Sequence, residues 1–188
     1  MSTHPSELPA ERTIESHRVY EGQVVNLRLD TVERADGRRL RREVVEHGEV
    51  VAIVPIEGDG RVLLVRQHRT PVGQVTLEIP AGGVDSGESP AEAAQRELRE
   101  ETGRSAGRLE RLLGFYASPG HCSEYIHLFL AHELSPAPAG GDQEETVAVE
   151  ALPLDDALTR LEDGGINDGK SIIGLLLAAS ERSALNQI

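Results

Sequence analysis

GGVDSGESPAEAAQRELREETG, residues 82–103, opens on glycines and closes on acids. Its middle has the form of a helix start. Ser89 is a good N-cap, Pro90 suits the first helical position, and Glu92 completes a capping box. Gly103 is a natural residue for the first position past a helix end. The stretch therefore predicts a helix over 89–102. On it, Glu97, Glu100 and Glu101 fall at i, i+3 and i+4 and share a face. Like charges at that spacing cost a bare helix roughly a few tenths of a kcal/mol per pair. Two readings account for them. One is a solvated charged face. The other is a set of hard oxygen donors for a divalent cation such as Mg²⁺, which takes a few carboxylates and completes its shell with water and phosphate oxygens. The helix alone leaves both standing.

The flanking chain reads mainly as strands. Residues 17–32 and 40–47 are β-rich and flank the turn Ala35-Asp36-Gly37, which predicts a hairpin after a loose tail over 1–13. VVAIVPI (50–56) and RVLLVRQHR (61–69) flank a Gly-Asp-Gly turn and read as a second hairpin. Strands are expected at 109–117, 124–134 and 146–152, a loop at 135–141, and helices near 154–162 and 168–181. Many strands without strict βαβ alternation predict an α/β domain with a mixed sheet and helices packed on it. Residues 1–47 are expected to form a small β-rich unit, and 48–188 the main one.

Composition narrows the function. A net charge of −13 argues against sequence-independent nucleic-acid binding, which depends on neutralising phosphates. An anionic small molecule is compatible if metal ions or local arginines reverse the field. The longest apolar run, IIGLLLAA (172–179), is too short to span a bilayer, so no membrane role is expected. The N-terminus lacks the basic and apolar segments of a signal peptide. The single cysteine, Cys122, excludes an intrachain disulfide and fits a reducing cytoplasm, the expected location. Cys122 beside His121 has no third partner, so a loop or packed thiol accounts for it better than a nucleophile. Lys170 is the only lysine, and the sequence assigns it no role.

The wider spacing around the acidic helix reads Gly82, five residues, Glu88, seven residues, Arg96-Glu97-Leu98, one residue, Glu100-Glu101, one residue, Gly103. This resembles the signature of the Nudix hydrolases, G-x5-E-x7-R-E-U-x-E-E-x-G-U, where U is a bulky aliphatic residue. Every position matches but the last, where Arg104 stands. The resemblance implies an α/β/α sandwich and Mg²⁺-dependent hydrolysis (with Mn²⁺ as an alternative metal) of a nucleoside diphosphate linked to another group. It implies that Glu97, Glu100 and Glu101 hold metal and that Arg96 orients a glutamate by ion pairing.

Segments 66–83 and 115–124 resemble the ADP-ribose pyrophosphatase branch of that family. The resemblance implies that the carbonyl of Ala81 ligates metal, that Glu78 lies beside the site and that Arg69 contacts phosphate. It implies that Ser118, Pro119, Gly120 and Glu124 shape a loop around the terminal ribose. An ordinary strand-end arginine and a plain turn are the alternatives for Arg69 and for 118–120. The branch also implies a homodimer whose N-terminal β units are exchanged, with Arg42 reaching the other subunit's adenine; a surface arginine is the alternative. A catalytic glutamate is implied in the loop 140–150, where strand register favours Glu145, with Glu144 next and Glu100 as the fallback base. The expected reaction is ADP-ribose hydrolysis to AMP and ribose 5-phosphate. The rivals are hydrolysis of another nucleotide sugar such as GDP-mannose, and a catalytically silent ADP-ribose-binding module.

Overall fold

The computed structural model describes residues 10–138 and 147–185. Within it the chain divides into two compact units: the residues up to Gly48 with Ser118–Glu124, and Glu49–Ala117 with Tyr125 onward.

The first unit is an antiparallel meander of β1 (Arg12–Glu21), β2 (Val25–Glu33) and β3 (Arg39–His47), in that order. The expected turn joins β2 to β3: Arg34 N–H donates to the Arg38 carbonyl and Gly37 N–H to the Arg34 carbonyl, both at 2.9 Å. Gly37 adopts φ +81°, the left-handed conformation such a tight connection favours. The stretch read as one strand over 17–32 is two, and β1 reaches into the expected tail. The chain reverses at Gly22, whose N–H bonds the Val25 carbonyl and the Asn26 side chain. A lone glycine among polar residues is a weak turn signal. The 118–124 excursion is stitched to β3: Val45 N–H donates to the His121 carbonyl at 2.8 Å, and Ser123 N–H to the Val45 carbonyl at 3.0 Å.

The second unit holds β4 (Val50–Pro55), β5 (Arg61–Arg69), β6 (Gln74–Glu78), β7 (Ala81–Gly83), α1 (Pro90–Thr102), β8 (Arg104–Tyr116), β9 (Tyr125–Pro136), β10 (Ala148–Pro153), α2 (Leu154–Glu162) and α3 (Gly169–Leu185). One sheet runs β7-β4-β9-β8, with β4 and β9 parallel; the other runs β10-β5-β6 and is antiparallel. The strands therefore form the mixed arrangement expected. The expected β4–β5 hairpin does not form. Its turn exists, with Gly60 N–H on the Glu57 carbonyl and Glu57 N–H on the Arg61 carbonyl. Beyond a single bridge, Ile56 to Val62, the strands part into different sheets. β4 is buried along its whole length, so both of its faces need covers. Its ladders go instead to β7 and β9.

Alternation along β4 and β9 builds two apolar layers. Val51, Ile53, Phe129 and Ala131 meet Ala93, Ala94 and Leu98 of α1. Val50, Ala52, Val54, Ile126, Leu128 and Leu130 cluster with Leu154 and Ala157 of α2 and Leu175 and Ala178 of α3. The sheet is thus covered by α1 on one face and by α2 and α3 on the other, the α/β/α sandwich. Burial of a side chain such as Leu98 contributes roughly 2 kcal/mol. Among the described residues, no helix is long and apolar enough to cross a membrane.

Candidate active site

Helix α1 starts and stops as its sequence dictates. Ser89 accepts from Glu92 N–H, Glu92 accepts in return from Ser89 N–H at 2.9 Å, and Pro90 opens the helix. Gly103 ends it at φ +66° with its N–H on the Arg99 carbonyl. Arg104, in the slot where the Nudix signature has an aliphatic residue, begins β8 and donates to Glu57 at 3.0 Å. With Ala93, Ala94 and Leu98 facing the sheet, Glu97 and Glu101 are carried to the flank beside β7.

Arg96 is the hub of this flank. Its Nε and Nη2 donate to the two oxygens of Glu88 at 3.1 and 2.9 Å. Nη1 donates to Glu97 at 2.6 Å and to Glu100 at 3.3 Å, and Nη2 also reaches the Gly83 carbonyl at 2.8 Å. One guanidinium therefore joins the first acid of the signature to two acids of the helix. This planar, permanently charged fork is a role that lysine could not fill. Gly82 makes room for it: a Cβ there would land inside the Glu97 carboxylate.

Glu101 is seated differently. Its carboxyl accepts from Ala81 N–H at 3.1 Å. Burial raises it, more than that hydrogen bond lowers it, and the Glu97 charge adds to the rise; the carboxyl is pushed up to about 8. Burial likewise raises Glu97, against the pull of Arg96. Glu88 moves the other way, held down by its hydrogen bonds to Arg96. The repulsion between stacked acids is thus relieved twice, by Arg96 and by a proton retained on Glu101. A divalent cation would supply the same relief with more charge. The donor chemistry fits such an ion: oxygens alone, two of them on carboxyls that burial makes reluctant to ionise without a counter-charge. Among the described residues, no trio of acidic, histidine or cysteine side chains converges as a ready cage. Arg96 Nη1 sits on Glu97 and Glu100, so an ion would share or displace that contact.

Arg69, expected at phosphate, lies at the end of β5 and forks onto Glu78 of β6, Nε to Oε1 at 3.0 Å and Nη2 to Oε2 at 2.8 Å. Glu78 is almost wholly buried, with its side chain 3% exposed. Burial opposes its ionisation, but Arg69, Lys170 and Thr76 outweigh it and hold the carboxyl at about 2. Lys170, to which the sequence assigned nothing, donates to Glu78 at 2.5 Å from the start of α3. Only the oddity of a lone lysine could have marked it.

The remaining expected residues belong to the first unit. Arg42 is half-buried and donates to Glu11 at 2.6 and 3.0 Å. Ser118, Pro119 and Gly120 form a turn in which the Ser118 carbonyl accepts from His121 N–H at 3.2 Å and Cys122 N–H at 2.9 Å. Glu124, half-buried, closes this segment. The His121 ring nitrogen lies 3.5 Å from Ser118 Oγ, and the Cys122 backbone bridges to Val45. Glu144 and Glu145 lie outside the described residues.

Comparison with known proteins follows this division. Residues 46–173 match the model of the NUDIX domain, and residues 11–45 that of the nucleoside diphosphate sugar hydrolase N-terminal domain. The chain is 39% identical over 167 residues to a methanol dehydrogenase activator of Bacillus methanolicus, covering 88% of this chain and 90% of that protein. It is 38% identical over 163 residues to an ADP-ribose pyrophosphatase of Bacillus subtilis, covering 86% and 88%. It is also 36% identical over 142 residues to a GDP-mannose pyrophosphatase of Pectobacterium atrosepticum, covering 70% and 73%. A crystal structure of an ADP compounds hydrolase superposes with a TM-score of 0.87 at 26% identity, over 97% of this chain and all of that one.

Proposed function

Because the chain belongs to the Nudix hydrolase family, we propose that it is a Mg²⁺-dependent ADP-ribose pyrophosphatase releasing AMP and ribose 5-phosphate. The observation that carries this reading is the flank of α1, where Arg96 bridges Glu97 and Glu100 and where burial and the Glu97 charge raise the neighbouring Glu101 carboxyl. Glu97, Glu100, Glu101 and the carbonyl of Ala81 would hold the metal, which supplies charge to the diphosphate and activates water. Mn²⁺ would serve the same donors. Arg96 keeps Glu97 and Glu100 in place, and Arg69, seated on Glu78, faces phosphate. The general base is Glu145, in the loop ahead of β10, with Glu144 and then Glu100 as its alternates.

The match of 11–45 to a nucleoside diphosphate sugar hydrolase N-terminal domain supports a dimerising β unit over 1–47 ahead of the catalytic unit 48–188. Exposed Val19, Tyr20 and Val24 on its first hairpin support the same reading. In the dimer Arg42 leaves Glu11 for the adenine bound by the other subunit, and Ser118, Pro119, Gly120 and Glu124 line the ribose side. A soluble cytoplasmic enzyme completes the reading.

The relative called a GDP-mannose pyrophosphatase favours a second substrate reading. Values of kcat/KM for ADP-ribose and GDP-mannose decide between them. The proposal expects the ADP-ribose value to be the larger. A larger GDP-mannose value replaces the substrate and keeps the site, and binding of ADP-ribose without turnover under any divalent metal replaces the enzyme by a binding module.

A further inference from the structure

Glu78 is unusual among the acids of the described residues in being saturated. A carboxylate offers about four lone-pair directions. On Oε1, Arg69 Nε donates at 3.0 Å and Thr76 Oγ1 at 2.5 Å. On Oε2, Arg69 Nη2 donates at 2.8 Å and Lys170 Nζ at 2.5 Å. The plane of the carboxylate is therefore fixed from both sides, and the Arg69 guanidinium is coplanar in consequence, since a bidentate fork follows the plane of its acceptor. Lys170 is itself held: its side chain is 10% exposed, and Asp168 accepts from Nζ at 2.9 Å.

Anchoring α3 does not require this lysine. Ser171, fully buried, accepts from Ile79 N–H at 2.8 Å and donates to Asp168 at 2.6 Å, joining the helix to the segment after β6 without Lys170. Gly174 is pressed against Val54, Ile79 and Leu128, where a Cβ would already crowd them. Arg69 alone would neutralise Glu78. The second cation is thus surplus to both helix docking and charge balance at Glu78. What it adds is restraint on the oxygen that Arg69 Nη2 uses. The cluster lies beside the acidic helix, since β6 ends at Glu78 and Ala81, shortly after it in the chain, donates its N–H to Glu101 at 3.1 Å.

We propose that Lys170 is a positioning residue for diphosphate cleavage, acting through Glu78 to set the plane of the Arg69 guanidinium. This rests on the reading of Arg69 as a phosphate contact. Lys170 touches no substrate in this scheme. It fixes where Arg69 stands, and misplacement of a binding group by an ångström costs up to about a hundredfold in rate.

A double-mutant cycle on kcat/KM for ADP-ribose tests this, using the full chain as wild type, Lys170→Met, Arg69→Met and the double variant. Both single variants are expected to lose about ten- to a hundredfold, and the double variant to lose no more than Arg69→Met alone, because residues acting in series do not multiply. Multiplied losses would mean direct contact with substrate or a separate structural role, and overturn the proposal. So would a Lys170→Met enzyme of normal kcat/KM and lowered Tm, the signature of a purely structural ion pair. Arg69→Met with wild-type kcat/KM would instead overturn the phosphate reading beneath it, as would a wild-type chain that does not cleave ADP-ribose. Should Lys170→Met fail to fold, Lys170→Arg keeps a cation on Glu78 and runs the same cycle; its loss is expected to be smaller and again absent on the Arg69→Met background. A loss that persists there contradicts the proposal.

Discussion

Replacing Glu101 by Gln should flatten the pH dependence of stability in the metal-free protein. The Glu101 carboxyl is raised from 4.5 to about 8 by burial and by Glu97, against the hydrogen bond from Ala81 N–H. An acid raised in the folded state contributes stability that is complete below its unfolded pKa and is lost as pH climbs through the folded one. The loss therefore spans pH 4.5 to about 8. At about 1.4 kcal/mol per unit, the ceiling is about 5 kcal/mol. Relaxation and water entry on ionisation reduce this to about 2–3 kcal/mol. For a chain of this length that corresponds to roughly 5–10 °C in Tm. Glutamine keeps an acceptor for Ala81 N–H and has no proton to lose. In EDTA, thermal melts from pH 4.5 to 9 should show the wild type falling by that amount and Glu101→Gln falling much less. A residual slope is expected from Glu97, which is raised in the same direction. Mg²⁺ at pH 8–9 should restore the wild type and leave the variant almost unmoved. A wild type that gains stability from pH 6 to 9, or a variant strongly destabilised at pH 6, would refute the reasoning and make Glu101 a structural ion-pair acid.

Gly82→Ala should lower kcat at least about tenfold and stability by about 1–3 kcal/mol, because the new methyl occupies the seat of the Glu97 carboxylate; kinetics and urea melts check both, and a silent substitution would show that Glu97 is free to move. Glu145→Gln should lose about 10²–10⁴-fold in turnover with ADP-ribose affinity nearly intact, and Glu144→Gln much less; the reverse order moves the base by one residue, and two healthy variants pass the role to Glu100. Deleting residues 1–47 should yield monomer or aggregate with weak ADP-ribose affinity by sedimentation and calorimetry, whereas normal binding by the truncated chain would exclude a shared adenine pocket.

What could be read from the sequence follows the distance over which each feature is decided. Helix α1 was legible to its caps, because Ser89, Pro90, Glu92 and Gly103 act within a turn of themselves. The acid face was legible for the same reason, helical spacing being local. The β4–β5 pairing was misread because turn chemistry decides a reversal and not sheet membership; β4 is drawn to β9, more than seventy residues on, by the need to cover both of its faces. The short β6 and β7 around Pro80 carry too few residues to show a period. Lys170 was invisible as a site residue because its partner Glu78 is 92 positions away. The fit of Gly82 under Glu97 was visible as spacing, but its cause, room for a carboxylate, appears only once β7 lies beside α1.

In the proposed function the acids of α1 work through a divalent cation on a diphosphate. Phosphorus NMR of ADP-ribose incubated with the full chain tests it directly, with Mg²⁺ and then with excess EDTA. Conversion of the diphosphate resonances to those of AMP and ribose 5-phosphate is expected with Mg²⁺, and none with EDTA. Hydrolysis that continues undiminished in the chelator would contradict it.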